Sequence, residues 1–236
     1  MSYSVTGAAY LILSFVMGLL AFRILRYWEK EKDTVAKIWF IAFFSVFLFA
    51  VSKTIVGLFF ADNLVFLKMS IDVGSFFQAI SCSTLAYFVF YVKFYPRISP
   101  WWGALPVFIL GLISTIVSIN TSFNPFMEPS GAINWGASHF SLSLILRTIM
   151  LSIVIIPTII IFLEQFIKSN DPYVKRRAFG FIMVFFTATV LELLDFIFLN
   201  SLKLDIIWRD VGSVILSVVI IFALLSTWGR DIPKKV

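Results

Sequence analysis

Cysteine and histidine occur once each in this 236-residue chain, and both scarcities narrow its chemistry. A single cysteine, Cys82, rules out an intramolecular disulfide framework, and a lone His139 cannot build a multi-histidine metal site. There is no glycine-rich phosphate loop, no helix with paired metal-binding histidines, and no histidine available beside a buried nucleophile. No enzymatic activity is therefore expected, and no catalytic residue, metal or cofactor is assigned. Charge is scarce as well: 14% of the residues are charged and 60% hydrophobic, with a mean hydropathy of +0.98. A water-soluble domain of ordinary composition is excluded.

Long apolar runs fill the chain instead. A bilayer-spanning helix needs about 20 mostly apolar residues, and seven such runs lie at about 4 to 27, 36 to 60, 66 to 93, 101 to 120, 139 to 166, 177 to 200 and 205 to 228. Segments such as SVFLFAV and LSIVIIPTIIIF are continuously apolar, unlike the alternating strands of a membrane β-barrel. The expected fold is all-α: a polytopic membrane protein with one domain over residues 1 to 236, a bundle of seven transmembrane helices. The first run is followed by RILRYWEKEKD rather than by a small-residue cleavage site, which marks a retained helix and not a signal peptide.

Lysine and arginine set the expected orientation. The first break carries Arg23, Arg26, Lys30, Lys32 and Lys37, the third Lys93 and Arg97, the fifth Lys168, Lys175, Arg176 and Arg177, and the tail Arg230, Lys234 and Lys235. The second has Lys68, the sixth Lys203, and the long fourth break, NTSFNPFMEPSGAINWGASH, has neither residue. This alternation puts the N-terminus outside and the C-terminus in the cytoplasm. Trp28, Trp39, Trp101, Trp102 and Trp228 then fall at inner helix ends, with Trp135 and Trp208 at outer ones, as interfacial belts require. The net charge of +6 is accounted for by topology and anionic inner-leaflet lipid, with no need for nucleic acid.

Against that background the sixth run, containing TATVLELLDFIFL, is anomalous. Glu192 and Asp195 stand three residues apart, on one helix face shared with Thr189. At ~1.5 Å per residue from an inner end near residue 177, they lie roughly 22 and 27 Å along the helix, in its outer half. Other charges reach similar depths. Lys53 is past the middle of the outward-going second helix, Asp72 and Arg147 come early in the inward-going third and fifth, and Arg209 and Asp210 open the seventh. Each charge at a helix centre costs about 2.5–3.5 kcal/mol by insertion scales. Convergence of Lys53, Arg147 and Arg209 with Asp72, Glu192, Asp195 and Asp210 would offset that cost, which predicts an outward-facing polar pocket among helices two, three, five, six and seven. The competing reading is structural, since buried ion pairs also fix helix pairing and register.

Several functions follow less well than others. A light-driven rhodopsin needs a retinal lysine, usually in the last helix, and the seventh helix has none. A carrier built from repeats would show similarity between helices one to three and five to seven, and none is visible. Another small-solute or proton-coupled transporter stays open, because Glu192, Asp195 and Arg147 suit substrate or proton binding. So does a structural subunit of a membrane complex.

The stretch YFVFYVKFYPRISPWWGALPVFILGLIS, followed by the external loop NTSFNPFMEPSGAINWG and a long fifth helix, resembles the N-terminal seven-helix membrane region of prokaryotic sensor histidine kinases. That resemblance extends over residues 1 to 230. It implies a receptor in a prokaryotic cytoplasmic (inner) membrane that senses a ligand or membrane state and passes a helix rearrangement to a cytoplasmic output domain; the outward-facing pocket adds the expectation of a small-molecule ligand from the outer side. Here the chain ends at WGRDIPKKV with no kinase, cyclase or DNA-binding domain. The expectation is either a separate cytoplasmic partner protein or a longer parent chain.

Overall fold

The computed structural model describes residues 4–120, 124–135, 142–193 and 205–226. Within them the chain forms seven helices: α1 (Val5–Glu31), α2 (Thr34–Phe59), α3 (Leu64–Phe94), α4 (Trp101–Ile119), α5 (Leu142–Lys168), α6 (Pro172–Leu193) and α7 (Ile207–Ser226). A two-stranded hairpin, β1 (Phe126–Met127) and β2 (Ile133–Asn134), lies between α4 and α5. The helical bundle agrees with the all-α expectation, and the hairpin is an addition to it.

Local sequence explains the boundaries. Ser4 caps α1 by accepting from the Gly7 amide at 2.9 Å, Asp33 caps α2 through Val35 and Ala36, and Asn63 caps α3 through Val65 and Phe66. Each side-chain oxygen satisfies amides that the first helical turn leaves unpaired. The first helix continues past the expected residue 27 to Glu31 and stops where Lys32 adopts the left-handed conformation, φ 52°. The sixth begins at residue 172 rather than 177, because Asp171 accepts from the Tyr173 amide at 2.8 Å and Pro172 suits the first helical position.

Among the described residues, α1 to α5 and α7 are each long and apolar enough to cross a bilayer. The sixth helix is not. Lys175, Arg176 and Arg177 occupy its first turns and Glu192 its last, leaving less than the ~20 apolar residues of a span, and its expected continuation to residue 200 lies outside the described residues.

Consecutive helices pack side by side, α1 closes the ring by packing on α7, and α3 also touches α5. The α1–α2 crossing depends on two glycines. A Cβ on Gly57 would stand 2.6 Å from the Gly7 Cα, so only hydrogen lets these backbones approach. Nearby, the Ser4 hydroxyl donates to the Gly57 carbonyl at 2.7 Å.

The interior is aromatic. Trp39 packs against Phe43, Phe88, Phe162, Phe181 and Phe185 with ring centroids 4.7 to 5.8 Å apart, distances at which aromatic pairs attract beyond simple burial. Trp39 was expected at an interfacial helix end, yet it is 3% exposed: it sits near the start of α2 but on the face turned inward. The exterior carries Phe15, Trp101, Trp102, Ile116 and Phe222, all more than half exposed. A rim of such side chains suits lipid rather than water. The molecule has the build of an integral membrane protein.

Candidate functional site

Between α4 and α5 the chain turns at Glu128-Pro129-Ser130-Gly131. Proline presets the dihedral angle of the second turn position, and Gly131 takes φ +80°, a left-handed conformation in which glycine has no Cβ to clash. Its amide donates to the Glu128 carbonyl at 2.9 Å, and the Glu128 amide to the Ala132 carbonyl at 2.8 Å. The result is a three-residue hairpin loop with glycine at the left-handed position.

The hairpin folds back onto one end of the bundle. Ala132 and Ile133 are fully buried, with Ile133 packed among Val56, Ala61 and Leu67 at the adjoining ends of α2 and α3. A chain of hydrogen bonds locks it there. The Val5 amide donates to the Gly131 carbonyl at 2.9 Å, the Ile133 amide to Thr6 Oγ1 at 2.7 Å, and the Thr6 hydroxyl to Asp210 Oδ2 at 2.5 Å. Arg209 Nη2 donates to the Ile133 carbonyl at 2.8 Å and pairs with Asp210 Oδ1 at 3.2 Å. Asp210, 1% exposed, thus ties α1, the hairpin and α7 together, and a buried carboxylate with these partners is satisfied.

Below the hairpin lies a cavity of about 530 Å³, within the range of small-molecule sites. Lys53 from α2, Arg147 from α5, Glu192 from α6 and Arg209 from α7 all line it. Arg147 Nε meets Glu192 Oε1 at 3.1 Å across the α5–α6 contact. The Lys53 ammonium stands 3.8 Å above the centroid of the Trp135 ring, a cation–π contact. Among the described residues no carboxylate forms an ion pair with Lys53, which is 5% exposed. Ser81, Ser114 and Gln78 add small polar groups, while Leu13, Phe49, Leu144 and Leu216 make much of the remaining wall apolar.

The expected site residues therefore divide. Lys53, Arg147, Glu192 and Arg209 share the cavity. Asp72 does not line the cavity. Asp210 is absorbed by the hairpin lock and does not line it either. Asp195 lies outside the described residues. Among the described residues the wall consequently presents three cations to one carboxylate. No group of three or more His, Cys, Asp and Glu side chains among the described residues is arranged to hold a metal ion.

Trp135 and Thr6 were not anticipated as site residues. Trp135 Nε1 is buried without a hydrogen-bond partner among the described residues, and its ring forms part of the cavity wall. The Glu-Pro-Ser-Gly turn was a legible hairpin signal, but nothing local in the sequence says that the strand after it dives into the bundle.

No protein-family model matches this chain, and no curated protein matches it.

Proposed function

We propose that the protein is a non-catalytic membrane sensor whose central cavity binds a small amphipathic molecule bearing an anionic group. One observation carries the reading: charged side chains from four helices converge on a cavity whose remaining wall is largely apolar. Ionisable groups at such depth are expensive and are a functional signature by default. With Arg147 paired to Glu192 and Arg209 to Asp210, Lys53 is, among the described residues of the cavity wall, the cation left to receive an anion. The apolar wall suits a hydrocarbon body, and the hairpin, resting on Lys53 through Trp135, offers an element that responds to occupancy.

In this reading all seven helices span a prokaryotic cytoplasmic membrane, with the hairpin end outside, and helix movement passes to a separate cytoplasmic partner. The lysine and arginine alternation supports that orientation, as does the resemblance to sensor kinase membrane regions.

A second reading, a small-solute carrier, is favoured by a different observation. Phe43, Val184 and Ile220 wall both the central cavity and a cleft at the other end of the bundle, so the two spaces share an apolar boundary.

The test uses tryptophan fluorescence in purified protein, with Trp135→Phe identifying the Trp135 signal, titrated with medium-chain carboxylates and the matching alcohols. A sensor or carrier binds the carboxylate in preference, and Lys53→Gln abolishes the difference. Uptake of the same carboxylate into proteoliposomes separates carrier from sensor. Equal responses to acid and alcohol, unchanged in the variant, would leave the charges with a purely structural role.

A further inference from the structure

We propose that the cleft at the bundle end opposite the hairpin is a binding site for the phosphate headgroup of an anionic phospholipid. The cleft, about 550 Å³, opens between α1, α2, α6 and α7. Among the described residues, Arg23, Arg26 and Lys30 of α1 and Arg177 of α6 line it, against one carboxylate, Glu31. Glu31 is already met by Lys30 at 3.5 Å, and Arg23 donates to the Leu224 carbonyl at the end of α7, at 3.0 Å. Arg26 and Arg177, both exposed, supply guanidinium forks that match a phosphate's oxygens in pairs.

The inner wall is of opposite character. Trp39, Phe43, Phe181 and Ile220 face the cleft, while Tyr27 and Tyr173 stand on its lining beside the cations, as rings with one apolar and one polar end do at a membrane interface. A basic rim on an apolar cleft between membrane helices selects a ligand that is anionic at one end and hydrocarbon at the other. A free phosphate would engage the rim and leave the apolar wall uncovered. The inference is independent of the sensor reading, and only the leaflet involved follows from the proposed orientation.

The test is native mass spectrometry of the full chain in mild detergent, with phosphatidylglycerol and phosphatidylcholine of matched acyl chains as probes, and glycerol phosphate as the soluble control. Phosphatidylglycerol is retained in preference, and glycerol phosphate binds the rim much more weakly and does not displace the lipid. In Arg26→Gln/Lys30→Gln/Arg177→Gln, retention falls on the order of a hundredfold. The control Arg97→Gln/Lys175→Gln/Arg176→Gln removes as much charge from residues outside the cleft and retains the lipid. Single Arg26→Gln and Arg177→Gln variants, at exposed positions, each lose about fivefold, so the result does not depend on the triple variant folding. Equal losses in cleft and control variants, no preference for phosphatidylglycerol, or glycerol phosphate binding as tightly as the lipid would each overturn the proposal.

Discussion

Replacing Lys53 by methionine should make the protein more stable while removing the proposed preference for anions. The side chain is 5% exposed and its ammonium has an aromatic ring rather than a carboxylate as its near partner. Holding a lysine at such a depth costs about 2.5–3.5 kcal/mol. The contact with Trp135 returns about 2 kcal/mol, the value for a desolvated cation–π pair. The difference leaves a liability of about 0.5–1.5 kcal/mol. Methionine has a similar length, no charge and a flexible stem that fills the same space. At about 2–4 °C per kcal/mol for a chain of this size, the melting temperature should rise by roughly 1–6 °C. The assay is thermal unfolding in detergent, paired with carboxylate titration of the same preparation. A variant that melts lower than the wild type would refute the reasoning, because it would mean that Lys53 holds the bundle together rather than waiting for a ligand.

Other perturbations follow the same physics. Glu192→Gln leaves the Arg147 guanidinium in the cavity without its carboxylate and should cost about 1–2 kcal/mol, less than for a fully buried pair because both side chains keep some exposure. A double-mutant cycle with Arg147→Gln should recover most of that loss. Thr6→Val deletes the hydroxyl that links the Ile133 amide to Asp210, leaving two buried polar groups short of a partner. It should cost about 2–4 kcal/mol, seen as faster hydrogen exchange at Ile133. Gly57→Ala forces a methyl against the Gly7 backbone and should destabilise by about 1–3 kcal/mol, read as a lower melting temperature.

The helices were legible because each apolar run is bounded by a cap or a charge that local chemistry explains. Ser4, Asp33 and Asn63 mark three starts, and Asp171 with Pro172 moved a fourth by five residues from the hydropathic estimate, since hydropathy does not register a cap. The depth of Lys53, Arg147, Glu192 and Arg209 could be counted along each helix, but depth says nothing about rotation. Trp39 sits at a helix end and still turns inward, and Asp210, one residue from Arg209, points into the hairpin lock instead of the cavity wall. The lock itself was hidden because its parts are far apart in sequence: Thr6 and Asp210 meet across 204 positions. A break rich in Asn, Pro, Gly and Ser reads as an external loop, and only its tertiary contacts show that Ile133 and Trp135 enter the bundle.

The most direct test of the cavity as a ligand site is photo-crosslinking with a medium-chain carboxylate carrying a diazirine on its tail, followed by mapping of the labelled residues. Labelling should concentrate on cavity-wall residues such as Trp135, Leu144 and Leu191, be suppressed by excess unlabelled carboxylate, and weaken in Lys53→Gln. Labels spread over lipid-facing positions such as Phe15 and Ile116, unaffected by competitor or by the loss of Lys53, would contradict it.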